Sequence, residues 1–275
     1  MTQNSIATLL KSTRQYFWSK NFDEVEVPYF NTSLPLEPNL YTYRVNDWYL
    51  PASPEFALKE SLAKNQSNCF AIAHCFRNLE STSPHHTTEF LMLEWYLVNQ
   101  NLYELKISVQ DYVSQFLKCE FIDFVIPHTS FDNEPDFNQY FLNEIEPKLP
   151  KDKAVFVSGY PAFLSPLANC ETNNFRDRKR EGMTPEDRKN LFVNNISNRF
   201  ELYINGIEIA NGCEENRDAE SIKLAFEKEL AYRHKNNLPV HPISEDFIKN
   251  TSLLPPCSGV GLGLNRLFDL TKNVR

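Results

Sequence analysis

The sequence predicts an α+β fold built on a mainly antiparallel sheet, and three observations predict it. Residues 69–77 and 89–98 alternate as two strands, residues 200–212 form a hairpin around Asn205-Gly206, and amphipathic helical segments flank both pairs. With 275 residues and 41% hydrophobic content the chain can bury a large core, so a single domain is expected over 1–275.

The elements follow in order. Ile6, Leu9, Leu10, Thr13 and Phe17 share one helical face, so the chain opens with an amphipathic helix. EVEVPYF (24–30) predicts a strand stopped by Pro28, and WYLPA (48–52) a second, shorter one. Ser53 as N-cap and Pro54 as first helical residue open a helix running to about Lys64, with Glu55 in its first turn. Leu102, Leu105, Val109, Tyr112 and Phe116 predict a helix over 102–118, after which the pattern weakens until the strand AVFVSGYP (154–161). Asn205-Gly206 suits a two-residue type I′ turn. That turn pairs 204 with 207, 203 with 208 and 201 with 210, and puts Glu201, Tyr203 and Glu208 on one face. A helix over 219–235 and a glycine-punctuated strand from Gly259 that runs into a helix complete the chain.

A net charge of −8 and a pI near 5.4 argue against nonspecific gripping of phosphate backbone, which needs a basic face. The one densely charged stretch, RDRKREGMTPEDRK (176–189), mixes both signs and predicts an exposed loop over a binding element. Six cysteines without a C-x-x-C pair suggest neither a zinc knuckle nor a disulfide framework. No apolar run is long enough for a membrane span, and the N-terminus lacks the apolar core of a signal peptide, so a cytoplasmic protein is expected.

The chemistry concentrates in three places. Alternation along 89–98 puts Phe90, Met92, Glu94, Tyr96 and Val98 on one face, so Glu94 stands in an apolar row. A buried carboxylate needs a cation, a hydrogen-bond network or a ligand. A core salt bridge and a binding site both meet that need. The eleven-residue connection from Asn78 to Thr88 far exceeds an ordinary hairpin loop. Arg77, His85 and His86 could hold a polyphosphate there. Glu201 and Glu208 add a second acidic hairpin, which calls for Mg²⁺ or an amine between the two. Gly259, Gly261 and Gly263 strip one face of the last strand, where a flat ring could lie, with Arg266 near it; close strand packing would explain the glycines equally.

With these residues assembled, the sequence resembles the catalytic core of class II aminoacyl-tRNA synthetases, specifically the lysyl branch and its free-standing paralogues. EVEVP is similar to motif 1, FRN…HHTTEFLMLEWY to motif 2 and CSGVGLGLNRL to motif 3, with YLPASPEFALKESL, YPAFLSPLAN and GIEIANG in the same order. The resemblance implies a six-stranded antiparallel sheet flanked by helices, a homodimer formed through motif 1, and an aminoacyl-adenylate made from ATP with Mg²⁺. It implies that Arg77 and Arg266 are the catalytic cations, on the α-phosphate and the adenine respectively. Asn78, Glu80, His86 and Gly263 complete the ATP site, and Glu201 and Glu208 hold Mg²⁺ and ATP. Glu55 takes the substrate amino group, while Glu94, Tyr96, Asn211, Glu215 and Gly261 form a pocket for lysine or β-lysine. The first catalytic helix begins within the opening residues, so no anticodon-binding domain and no tRNA are expected. The family's free-standing members instead charge a lysine of elongation factor P.

Four positions depart from the family pattern: Leu79 where motif 2 has glutamate, with Glu80 next; Cys213 where the lysine pocket has phenylalanine; Asn265 where aspartate precedes the motif 3 arginine; and Gly261 where β-lysine ligases tend to have alanine. Two other readings stand beside the lysine ligase. One is a ligase for a different amino acid, of the asparagine-synthetase-like type, and the other is an inactive paralogue serving as a regulatory or amino-acid-sensing module.

Overall fold

The structure, a computed structural model, describes residues 5–78, 87–127, 131, 133–171 and 196–273. Glu80 and His86, with Leu79, His85 and the charged stretch 176–189, lie outside the described residues. Helix α1 (Ile6–Ser19) opens on Ser5, whose side chain accepts the Thr8 N–H. Strand β1 (Asp23–Glu24) and the small ribbon of β2 (Arg44–Val45) and β3 (Trp48–Tyr49) lead to α2 (Glu55–Asn65), β4 (Cys69–Phe76), β5 (Glu89–Val98) and α3 (Leu102–Val113). Next come β6 (Phe121–Val125), α4 (Glu134–Tyr140), β7 (Ala154–Ser158) and the ribbon of β8 (Cys170–Glu171) and β9 (Ile196–Ser197). Strands β10 (Arg199–Ile204) and β11 (Ile207–Glu214), helices α5 (Ala219–Lys235) and α6 (Glu245–Ser252), strand β12 (Cys257–Gly263) and helix α7 (Leu264–Asn273) follow.

The main sheet has eight strands, in the order β1-β4-β5-β12-β11-β10-β7-β6, not the six expected. The six central strands are antiparallel throughout, and one parallel strand is added at each edge: β1 beside β4, and β6 beside β7. The strand expected over 24–30 shrinks to two residues. Val25 N–H still reaches the Phe70 carbonyl, but Pro28 has no N–H to donate, and Asn31 pairs with Tyr49 instead. Other boundaries move: β3 stops at Tyr49 rather than at 52, and β4 at Phe76 rather than at 77. Helix α3 ends at Val113 rather than 118, and β7 at Ser158 rather than 161. Helix α2 has its N-cap at Pro54 rather than Ser53, although the Ser53 hydroxyl still accepts the Glu55 N–H at 3.3 Å.

The two faces of the sheet have different tasks. Leu93, Trp95 and Leu97 of β5 pack with Phe17 of α1, Leu105, Val109 and Tyr112 of α3 and Leu267 of α7 into the largest apolar cluster. The alternate residues of β5, Phe90, Met92, Glu94 and Tyr96, face a cleft on the opposite side, as the period of two predicts. Asn205 and Gly206 both have positive φ, 54° and 73°, so the type I′ turn forms as expected. The register beyond it does not hold: Tyr203 faces Glu208, but Leu202 faces Ala210 and Glu201 faces Asn211 rather than 210. Ile209 is the extra residue of a β-bulge, and both it and Ala210 are buried in the helix-side cluster. That one-residue insertion turns Asn211, Cys213 and Glu215 into the cleft beside Glu201 and Glu208.

Candidate active site

The cleft has a volume of about 670 Å³ and runs across β5, β12, β11 and β10. At one end stand Glu55, Glu94, Tyr96, Asn211, Cys213, Glu215 and Gly261, and toward the other Arg77, Glu201, Glu208, Gly263 and Arg266. The structure therefore brings all but three of the site residues named from sequence into one cavity. Glu80 and His86 fall outside the described residues, and Asn78 is not among the cleft-lining residues; its backbone N–H pairs with the Tyr41 carbonyl at 2.8 Å.

Glu94 is 5% exposed and accepts the Tyr96 hydroxyl at 2.8 Å. Burial, and then the Glu55 charge, push its pKa up to about 8. Opposite it lies a cation that sequence reasoning missed. Lys59, 1% exposed, places Nζ 2.6 Å from Glu55 Oε1 and 2.6 Å from Glu215 Oε2. Burial is the largest single effect on its ammonium and works to lower the pKa, but Glu215 and Glu55 together outweigh it and hold the pKa well above its ordinary value. The signal was present: Lys59 follows Glu55 by four residues in SPEFALK, one turn along the same helix face.

At the other end, Glu201 is enclosed by donors. Tyr160 Oη donates to its Oε2 at 2.6 Å, Tyr203 Oη to the same atom at 2.8 Å, and Arg199 to Oε1. Arg199 also donates Nε to Asn211 Oδ1 and Nη1 to Ser165 Oγ, each at 2.9 Å. Tyr203, on the face it was expected to share with Glu201, thus orients that carboxylate. Arg199, two residues before Glu201 and on the same strand face, was also legible from alternation. Glu208, whose side chain is 38% exposed, is raised to about 7 by the desolvating walls of the cleft and then by the neighbouring Glu201. Arg266 donates Nη1 to the Glu208 carbonyl at 2.6 Å, with its carboxylate at 3.8 Å. Arg77 donates Nε to the Ala52 carbonyl at 3.3 Å and lies over the Phe90 ring.

The three clustered glycines divide. A Cβ at Gly259 would stand 2.2 Å from the Tyr96 ring, so close packing explains that position. At Gly261 and Gly263 the nearest atoms are Met92 Sδ at 3.4 Å and Arg266 Cδ at 3.6 Å, and both glycines open onto the cleft. Asn265, the departure beside Arg266, accepts the Leu91 N–H at 2.7 Å and so ties α7 to β5.

Carboxylates suited to ammonium groups at one end of a cleft, and arginines suited to phosphates at the other, lie across a six-strand antiparallel core whose last strand runs into a helix. That combination defines a synthetase-type catalytic domain that joins an amino acid to a nucleotide. Residues 4–274 match the family model for class II tRNA synthetases (D, K and N), and the chain belongs to that family. Among curated proteins it is similar to the elongation factor P (R)-β-lysine ligases of Hamiltonella defensa and Pectobacterium carotovorum, each 28% identical over 97% of this chain and 90% of theirs. The ligase of Pectobacterium atrosepticum is 29% identical over 97% of this chain and 91% of its own. Among the described residues no helix is long and apolar enough to cross a membrane.

Proposed function

We propose that this protein is an ATP-dependent ligase that activates lysine or (R)-β-lysine as an aminoacyl-adenylate and passes it to a lysine side chain of elongation factor P. The observation that carries the reading is Glu94, a carboxylate buried in an apolar strand row and raised toward neutrality by burial and by further carboxylates. A cationic side chain entering the cleft relieves that excess of negative charge, which is what selects a diamino acid over aspartate or asparagine. The relatives named above bear the name of such a ligase, and neither the asparagine-type ligase nor the inactive sensor is favoured.

Glu94, Tyr96 and Glu215 receive the remote ammonium, and Glu55 the amine near the reacting carboxylate. Arg77 and Arg266 bracket the ATP and stabilise charge as the substrate carboxylate oxygen attacks the α-phosphorus in line, forming the acyl–phosphate bond and releasing pyrophosphate. The acceptor amine then attacks the acyl carbon, the new amide forms, and AMP leaves with the bonding pair. No protein nucleophile is required. Glu201 and Glu208 would hold a divalent cation together with phosphate oxygens: both carboxylates line the cleft, and Glu208 feels the charge of Glu201, which a cation between them would relieve. When bound, Mg²⁺ would supply charge neutralisation for the phosphates. The exposed aromatics Tyr29 and Phe30 directly follow the motif 1 segment EVEVP, with the exposed Trp48 ring 6.4 Å from that of Phe30, and we assign to them the pairing face of a homodimer.

ATP–pyrophosphate exchange on purified protein, with L-lysine, (R)-β-lysine, aspartate and asparagine in parallel, tests the reading. Exchange is expected with a lysine isomer only, lost in Arg77→Ala and Glu215→Ala, and followed by transfer to elongation factor P. Exchange with aspartate or asparagine instead, or with none of the four, would overturn it.

A further inference from the structure

Glu201 and Glu208 line the same cleft but are held in different ways. The Glu208 side chain is 38% exposed, with Arg266 3.8 Å from its carboxylate. The Glu201 side chain is 12% exposed, and three donors reach it. The hydroxyls of Tyr160, at 2.6 Å, and Tyr203, at 2.8 Å, both donate to one oxygen, Oε2, while Arg199 donates to Oε1. A carboxylate oxygen accepts about two hydrogen bonds, so among the described residues Oε2 is filled and Oε1 keeps one place open.

The two hydroxyls are delivered from separate segments and locked by packing. Tyr203 follows Glu201 by two residues on β10 and so shares its face. Tyr160 comes from beyond the end of β7, where Gly159 adopts φ 92° and turns the chain close against Ile126; a Cβ there would stand 3.1 Å from the Ile126 carbonyl oxygen. The Tyr160 carbonyl accepts the Ser197 N–H at 2.9 Å and the Ser197 hydroxyl at 3.1 Å, which ties its backbone to β9. Helix α4 passes at its end into a single π turn, Phe141–Ile145, a rare geometry that recurs at functional sites. The Phe141 ring meets both tyrosines, with centroids 5.9 Å from Tyr160 and 6.1 Å from Tyr203. Both tyrosines are buried, 3% and 7% exposed, in the apolar cluster that this segment forms with Val155 and Val157. Phenylalanine would serve that packing as well. What the hydroxyls add is two bonds to a single carboxylate oxygen.

We propose that Tyr160 and Tyr203 are positioning residues that cap Oε2 of Glu201, so that it offers a divalent cation Oε1 alone, and that this cap makes the phosphate end selective for Mg²⁺ over Ca²⁺. Mg²⁺ takes a strict octahedral set with one or two carboxylates and substrate phosphates, whereas the larger Ca²⁺ gathers more oxygens and accepts carboxylates that give both of theirs. A Glu201 with Oε2 filled denies Ca²⁺ that second oxygen. The inference rests on the reading of this cleft as an ATP-dependent ligase site and adds to it the residues that choose the ion.

The test is calorimetric binding of α,β-methylene-ATP, whose α–β bridge cannot be cleaved, to the full chain in saturating Mg²⁺ and in saturating Ca²⁺, compared with Tyr160→Phe, Tyr203→Phe and the double variant. The unaltered protein should bind the Mg²⁺ complex more tightly than the Ca²⁺ complex. The double variant should lose that preference by about ten-fold, within the range over which the outer partners of metal ligands act, and each single variant by less, because one hydroxyl still occupies Oε2. Pyrophosphate exchange in the double variant should need more Mg²⁺ while the lysine KM stays as it was. Should the double variant fail to fold, the single variants decide, and a preference unchanged in both overturns the proposal. Merely structural hydroxyls would lower the unfolding midpoint and leave the ratio of Mg²⁺ to Ca²⁺ affinity intact, which overturns the proposal with the ligase reading standing. Equal affinity for the two complexes in the unaltered protein overturns it as well; failure of that protein to bind the nucleotide with either ion overturns both.

Discussion

Lys59 at the amino-acid end and Arg199 at the phosphate end each hold pocket residues from different elements, yet they are built into the molecule differently. Lys59 is a point charge, 1% exposed, placed between Glu215, whose side chain is 2% exposed, and Glu55, which solvent still touches. Arg199 spreads its donors in a fork over Glu201, Asn211 and Ser165, at a site where solvent still reaches both ion-pair partners, and two tyrosine hydroxyls duplicate its hold on Glu201. The amino-acid end is therefore a closed set of charges in which each member depends on the others. The phosphate end is redundant, as suits a surface that must admit a large, charged nucleotide.

The largest effect should come from breaking the closed set. Lys59→Met leaves the buried Glu215 beside the buried Glu94, with half-buried Glu55 next to them and no cation among the three, and breaking a buried pair such as Lys59–Glu215 costs about 3–5 kcal/mol. Urea unfolding of the variant should show that loss, and lysine-dependent exchange should vanish with it. Arg199→Lys keeps a charge and both tyrosines, so a loss of about 1 kcal/mol is expected there. A larger loss for Arg199→Lys than for Lys59→Met would reverse the contrast.

A second, smaller effect follows from the proton on Glu94. Its folded pKa, about 8, lies above that of an exposed glutamate, so at neutral pH the folded free protein holds a proton that the unfolded chain has released. That contribution to stability is fully present below the unfolded value near 4.5 and is lost as pH rises through the folded one. Binding runs in the opposite sense. An ammonium pairs with the ionised form, so lysine affinity should rise between about pH 6 and 8, by at most about ten-fold per unit, and then level off. Calorimetry in two buffers of different ionisation enthalpy should show proton release on binding at pH 7, and Glu94→Gln should flatten the profile. Uptake of protons would show that Glu94 does not meet the ammonium.

How much of this was legible follows from how local each feature is. The type I′ turn, helix α5 and the face of Glu94 are written in neighbouring residues, and the structure agrees with them. Strand β6 was not legible, because FIDFV is a partly exposed edge strand without clean alternation. The bulge at Ile209 was not legible either: IEIA reads as regular alternation, and only burial of both Ile209 and Ala210 on the helix side forces the extra residue. Sequence statistics place lysine at the surface, so Lys59 escaped notice until Glu215, 156 positions later in the chain, was seen beside it.

The smallest effect distinguishes two neighbouring glycines. Gly259→Ala would drive a methyl into the ring of Tyr96, which is buried and bonded to Glu94 and has nowhere to go, so both stability and the lysine pocket should suffer. Gly261→Ala meets only ordinary contacts, Met92 Sδ at 3.4 Å and Glu94 Oε2 at 3.7 Å, so its unfolding free energy should stay within about 0.5 kcal/mol of the unaltered protein. The added methyl nevertheless stands beside the Glu94 carboxylate and shortens the space for the substrate's alkyl chain. One methyl in an apolar contact is worth about 1 kcal/mol of discrimination, so the ratio of kcat/KM for L-lysine over (R)-β-lysine should shift by about five-fold. An unchanged ratio would mean that the alkyl chain does not pass over β12 at this point, and would move the amino-acid path toward Cys213 on the neighbouring strand.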